Sequence, residues 1–249
     1  MPAPSRLDVG CNAGATVRLK MNSEKNQSMT DQQVIELIEK EFREKTLGVT
    51  EQYLEIHSPI YADNKIKVER IDRDSKYDNQ DEMIIAYLPV LDEKFYFAVY
   101  INPKENEITG VNTEAYHRVY FRATSETLSI NELKSMTNLK PTEFWNKGDL
   151  RKNEKSTHTF SSFAILPNPE PDEFEDKLKK LLDFLEQDTD GVKRLVDSAY
   201  GYIQVAMDIH NGNGMIGGPN IGVDEIRRMN NMGLSINFDL YVGGEVFKD

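Results

Sequence analysis

Leu139-Lys140-Pro141-Thr142-Glu143-Phe144-Trp145-Asn146-Lys147-Gly148-Asp149 carries the only tryptophan of the chain. With Pro141 to fix the backbone and Gly148 to free it, the stretch reads as a short, rigid loop between two folded elements. Upstream lie an alternating segment at 117–124 and a short amphipathic helix at 129–136. In the alternating segment Val119, Phe121 and Ala123 oppose Arg118, Tyr120 and Arg122, the period-2 pattern of a half-buried strand. Downstream, a strand at 157–165 precedes a helix opened by Pro171 and Asp172, whose apolar stripe is Phe174, Leu178, Leu181, Leu182 and Leu185. A second short helix at 191–198, a strand at 202–209, a glycine loop, a helix at 223–232 and a strand at 234–241 complete the series. The order βαβαβαβ predicts an α+β sandwich, with helices on one side of a mixed or antiparallel sheet.

That order, with LKPTEFWNKGD after its first helix and Asn237-Phe238-Asp239-Leu240-Tyr241 at its end, resembles the bacterial domain of unknown function 4279 over the second half of the chain. The resemblance implies a fold and supplies no catalytic residue. One departure is visible: Phe160 and Phe163 stand where the family is expected to start its second strand with a tryptophan.

The first half has its own signature. Thr30-Asp31-Gln32-Gln33 is a helix start in which Thr30 can cap the Gln33 amide, and Val34, Ile35, Leu37, Ile38 and Phe42 follow at helical spacing. Segments 53–56, 65–71, 83–90 and 95–101 read as strands, and 94–102 with 108–111 as a hairpin. One helix wrapped by an antiparallel meander is a cystatin-like plan. The expected organisation is thus a disordered leader at 1–28, a cystatin-like α+β domain at 29–114 and the second α+β domain at 115–249. The leader is rich in Ala, Gly, Ser and Asn, with four basic and two acidic residues, too little apolar surface to offset ordering entropy. Met21 and Met29 are plausible alternative starts.

A net charge of −12 argues against nucleic-acid binding, which depends on fields of Lys and Arg. No run of residues is long and apolar enough to span a bilayer. The single cysteine, Cys11, points to a reducing compartment, and a cytoplasmic location is expected.

No constellation of residues identifies a reaction. Gly212-Asn213-Gly214-Met215-Ile216-Gly217 is a literal G-x-G-x-x-G between a strand and a helix, and Asp239 follows about 22 residues later, near the spacing of a ribose-binding acid. Gly218, Pro219, Asn220 and Gly222 intervene before the helix, however, so the last glycine is not packed in its first turn. The acidic run 170–190 holds nine carboxylates against three lysines, the pattern of a solvated helix face or of a docking surface for a basic protein. Asp188, Asp190 and Asp208 match no metal-binding pattern, and His57, His117, His158 and His210 are scattered singly. No cofactor or metal is expected. The leading expectation is a protein-binding module, an immunity or inhibitor protein masking a basic toxin or effector through Glu173, Asp176, Asp183, Phe144, Trp145 and Lys147. The alternative is a small-molecule or nucleotide binder, or an enzyme, using the 212–218 loop and the cleft between domains. A homo-oligomeric structural role is a third class.

Overall fold

The computed structural model describes residues 29–73, 82–152, 154–212 and 218–247. The leader, Cys11 and residues 213–217 of the glycine loop lie outside the described residues.

Helix α1 (Asp31–Glu44) begins as its sequence predicts: the Thr30 hydroxyl accepts the Gln33 N–H, and the Gln33 side chain accepts the Thr30 N–H at 2.8 Å. Val34, Ile38 and Phe42 face inward, and the left-handed Lys45 ends the helix. The buried Glu41 carboxylate then accepts the Leu47 N–H at 3.0 Å and the Thr50 hydroxyl at 2.6 Å. Burial opposes its charge, but these bonds and those from Thr46 hold its pKa below the usual range. The groups it caps open helix α2 (Gly48–Ile56), so the segment 53–56 expected as a strand is the last turn of a helix. Period-2 spacing over four residues cannot be told from one face of a helix whose start is held by a side chain from another helix.

The expected strand at 65–71 is also divided. Asp63 and Asn64 both adopt left-handed angles and turn β1 (Tyr61–Ala62) back onto β2 (Lys65–Ile66). Strand β3 (Arg70–Asp72) starts a separate antiparallel sheet with β4 (Ile84–Pro89), β5 (Tyr96–Asn102) and β6 (Glu107–Glu114), in the order β3-β4-β5-β6. α1 and α2 cover the face carrying Ala86, Leu88, Phe97, Val99 and Val111. Ile85, Tyr87 and Ala98 are buried on the other.

Ala115 alone separates β6 from β7 (Tyr116–Ser125), the central strand of the second sheet. The chain continues through α3 (Ile130–Ser135), β8 (Glu143–Trp145), β9 (Ser161–Ile165), α4 (Phe174–Leu185), α5 (Thr189–Ser198), β10 (Tyr200–His210), α6 (Val223–Met232) and β11 (Ser235–Gly243). The sheet order is β11-β10-β7-β9-β8, antiparallel except for β10 beside β11, which α6 connects. The stretch read as a loop around Trp145 contains edge strand β8, paired with β9. Val119, Phe121, Ile203 and Val205 share one core with Leu178, Leu181, Leu195 and Met232, so the helices lie on one side of a mixed α+β sheet.

Besides the Lys94–Asp208 pair at 3.1 Å, two clusters of contacts fasten the first half to the second. Arg70 of β3 reaches the fully buried Asp172 carboxylate at 2.6 Å and Asp72 at 3.1 Å, while Lys180 reaches Asp172 from its other side at 2.6 Å. At the far end His57 and His210 approach Nε2 to Nε2 at 2.8 Å, enclosed by Phe95, Tyr53 and Phe247. Gly212 is needed beside this pair, because a Cβ there would stand 2.3 Å from the His210 ring.

Candidate functional site

Between the two fastenings the halves enclose a cleft of about 850 Å³. One wall is the junction of the sheets, from Asn112 to Ala115 with His117; another is the start of α4, with Glu173, Phe174 and Glu175. The floor comes from Met207, Ile209 and His210, near the end of β10. Leu240 and Val242 of β11 add an exposed apolar wall, and Gly212, Gly218, Pro219 and Phe247 form the remaining rim.

Glu114 ends β6 at the crossing between sheets, which carries its carboxyl under α4. Burial, followed by the negative charges of Glu173 and Glu175, pushes it up to about 8 despite the Ala115 N–H. At neutral pH it is therefore mainly a neutral acid. Glu173 is exposed yet also raised, first by partial desolvation and then by Asp176 and Glu175. His117 is held below its usual range by burial. Its Nδ1 lies 3.2 Å from the Asp172 carbonyl oxygen, which can only accept, so Nδ1 carries the proton. The Lys177 ammonium, lowered to about 8 by burial, is spent on the His117 carbonyl at 2.7 Å. Among the described residues the lining thus presents three glutamates, two phenyl rings and two histidines, with neither lysine nor arginine.

The residues singled out from the sequence fall into three places. Glu173 lies at the mouth of the cleft. Asp176 stands with Asp72 and Asp172, whose oxygens lie within 4.8 Å of one another, but Arg70 and Lys180 already neutralise Asp172 there. Asp183 pairs with Lys179 at 2.9 Å and Arg228 at 2.6 Å, and Arg228 also binds Glu186, so this part of the acidic run is neutralised internally. Phe144 is half exposed beneath the Lys134 ammonium, and the Lys147 ammonium donates to the Glu126 carbonyl at 3.0 Å. Trp145 belongs to the helix-free face of the second sheet, stacked on His158 at 4.4 Å.

The ribose-acid expectation for Asp239 meets an obstacle in the register. Asp239 pairs with Ala206, whereas the glycine loop follows His210, paired with Gly243. Four residues of strand put Asp239 about 13 Å back from the loop. The cleft beside Gly212 and Gly218 is lined by carboxylates, which would repel a pyrophosphate. Sequence reasoning missed Glu114, Glu175, His117 and Phe247 as members of one site, because only the crossing of the sheets and the returning tail bring them together.

The sequence profile of the family described as Domain of unknown function (DUF4279) matches residues 114–243, just over half of the chain, and the chain belongs to that family. Neither a curated protein nor a solved structure matches it. No helix among the described residues is long and apolar enough to cross a membrane.

Proposed function

We propose that the chain binds a small organic cation in the cleft between its halves. The observation that carries this reading is the convergence of Glu114, Glu173 and Glu175 with the Phe247 ring on a concave surface that has neither lysine nor arginine among its described residues. Carboxylates supply the countercharge, the Phe247 ring attracts an ammonium, and Leu240 and Val242 offer apolar surface to a hydrocarbon substituent. A primary amine could also donate hydrogen bonds to the carboxylates, whereas a quaternary ammonium would depend on charge attraction and the Phe247 ring. The test is thermal melting with benzyltrimethylammonium against benzoate at equal ionic strength. A rise in melting temperature confined to the cation, and lost in Glu114→Ala, supports the reading; stabilisation by neither or by both rejects it.

The second reading is the immunity or inhibitor protein that masks a basic toxin. The net charge of −12 favours it, since single-sign fields accelerate association with an opposite partner. The pairing of Asp183 with Lys179 and Arg228 removes part of the field expected on α4. The first half is read as cystatin-like, with residues 29–114 and 115–249 as separate domains, on the strength of the two cores.

A further inference from the structure

The helix-free face of the second sheet carries a recess of about 980 Å³, remote from the cleft and opposite to it in chemistry. On this face Arg122 of β7 and Ala164 of β9 pair laterally, and Ala164 pairs in turn with Glu143 of edge strand β8. Trp145, two residues along β8, therefore rises beside Arg122. The guanidinium carbon lies 5.1 Å from the Trp145 ring centroid and 5.3 Å from that of Phe160. Its Nε donates to the Ser162 hydroxyl at 3.2 Å. A guanidinium held over two rings and by its Nε is preorganised, and its remaining N–H groups are donors for an anion.

Arg122 has no carboxylate partner, and neither do Arg151 and Lys152 on the rim, in the ion pairs among the described residues. In a chain with 42 acidic and 30 basic residues, three neighbouring cations without a carboxylate are a local reversal of the prevailing field. Two carboxylates do line the recess. Asp149 is committed to the Asn146 N–H at 2.7 Å, and Glu143 stands two strands from Arg122, about 10 Å by strand spacing. The remaining lining is Thr142 and the aromatic or apolar Phe144, Trp145, Leu150, His158 and Phe160.

We propose that this recess binds a small organic anion, its carboxylate or phosphate paired with Arg122 and its planar body packed on the aromatic floor. Charge-assisted bonds to a preorganised guanidinium supply the selectivity for negative charge. Arg151 and Lys152 at the rim add attraction without fixed geometry.

As the only tryptophan, Trp145 gives one indole N–H signal in a proton–nitrogen correlation spectrum and reports on the recess directly. The probes are benzoate, phenyl phosphate and benzylamine, titrated into the full chain at constant ionic strength. A saturable shift of the indole signal with benzoate assigns a carboxylate site, and one with phenyl phosphate a phosphate site. Benzylamine should leave the signal in place even where it binds the cleft, so this site and the cleft stand or fall separately. Arg122→Met should weaken the anion at least about tenfold, the worth of one charge-assisted contact. The rim variant Arg151→Ala with Lys152→Ala, which leaves the sheet untouched, should weaken it about threefold. No saturable shift with either anion, an equal shift with benzylamine, or unchanged affinity in both variants would overturn the proposal.

Discussion

Glu114→Gln keeps the shape of the side chain and removes the proton equilibrium on which the cleft depends. In the fold the carboxyl titrates at about 8, against an ordinary value of 4.5. Below the lower value it is protonated in both states and costs nothing. Between the two the unfolded chain gives up its proton first, so the native state loses stability as pH rises; above the upper value the loss is complete. Full conversion of that difference gives about 5 kcal/mol. The side chain keeps 22% of its surface exposed at the cleft wall, so water screens part of the effect. A stabilisation of about 2 kcal/mol by glutamine at about pH 8.5 is expected, falling to near zero at about pH 5. The melting temperature should then rise by about 4 to 8 °C at the higher pH. Urea denaturation of both proteins at the two pH values measures it. Equal destabilisation at both pH values would show that Glu114 acts as an ionised structural group, which would refute the reasoning.

Arg70→Met should cost about 3 kcal/mol, because it leaves the buried Asp172 with Lys180 as its one cation, beside the neutral Asn168 and Glu173 N–H donors; a loss below about 1 kcal/mol would remove the ion network as a fastening between the halves. His57 and His117 are held below their usual range, first by burial, so the unfolded chain takes up protons before the fold does and stability should fall as pH drops below 6.5. Chemical denaturation of His57→Asn should show a shallower acid slope than wild type, and an unchanged slope would contradict this. Trp145, half-buried against His158 and Arg122, should show emission intermediate between core and water, with partial quenching by iodide; a fully shielded, blue-shifted spectrum would place it in the core instead.

Much of the fold is legible where the determinants are local. The Thr30 and Ser129 capping boxes set the starts of α1 and α3 within a few residues, and the alternation in β7 separates Val119, Phe121 and Ala123 from the arginines on the opposite face. Helix α2 escapes a local reading because the Leu47 N–H and the Thr50 hydroxyl at its start are held by Glu41, a residue of the preceding helix. Strand β8 escapes because three residues carry too little periodicity. The site is less legible than the fold. Glu114 looks like any polar end of an alternating strand, and what raises its pKa is a helix start roughly sixty residues later, placed there by the Arg70–Asp172 pair. Acidic helix α4 was visible as a charged face, but only the three-dimensional pairing shows which carboxylates are taken by Arg228, Lys179 and Lys180 and which look into the cleft.

Calorimetric titration of benzyltrimethylammonium into the protein at pH 7, in two buffers of different ionisation heat, tests the cleft reading most directly. A cation seated beside Glu114 favours the carboxylate over the acid, so its proton must leave as the ligand binds. The expected result is saturable binding with release of nearly one proton per ligand, and little or no release from Glu114→Gln. Binding without proton release, or release that persists in Glu114→Gln, would contradict the assignment of Glu114 as the countercharge of the cleft.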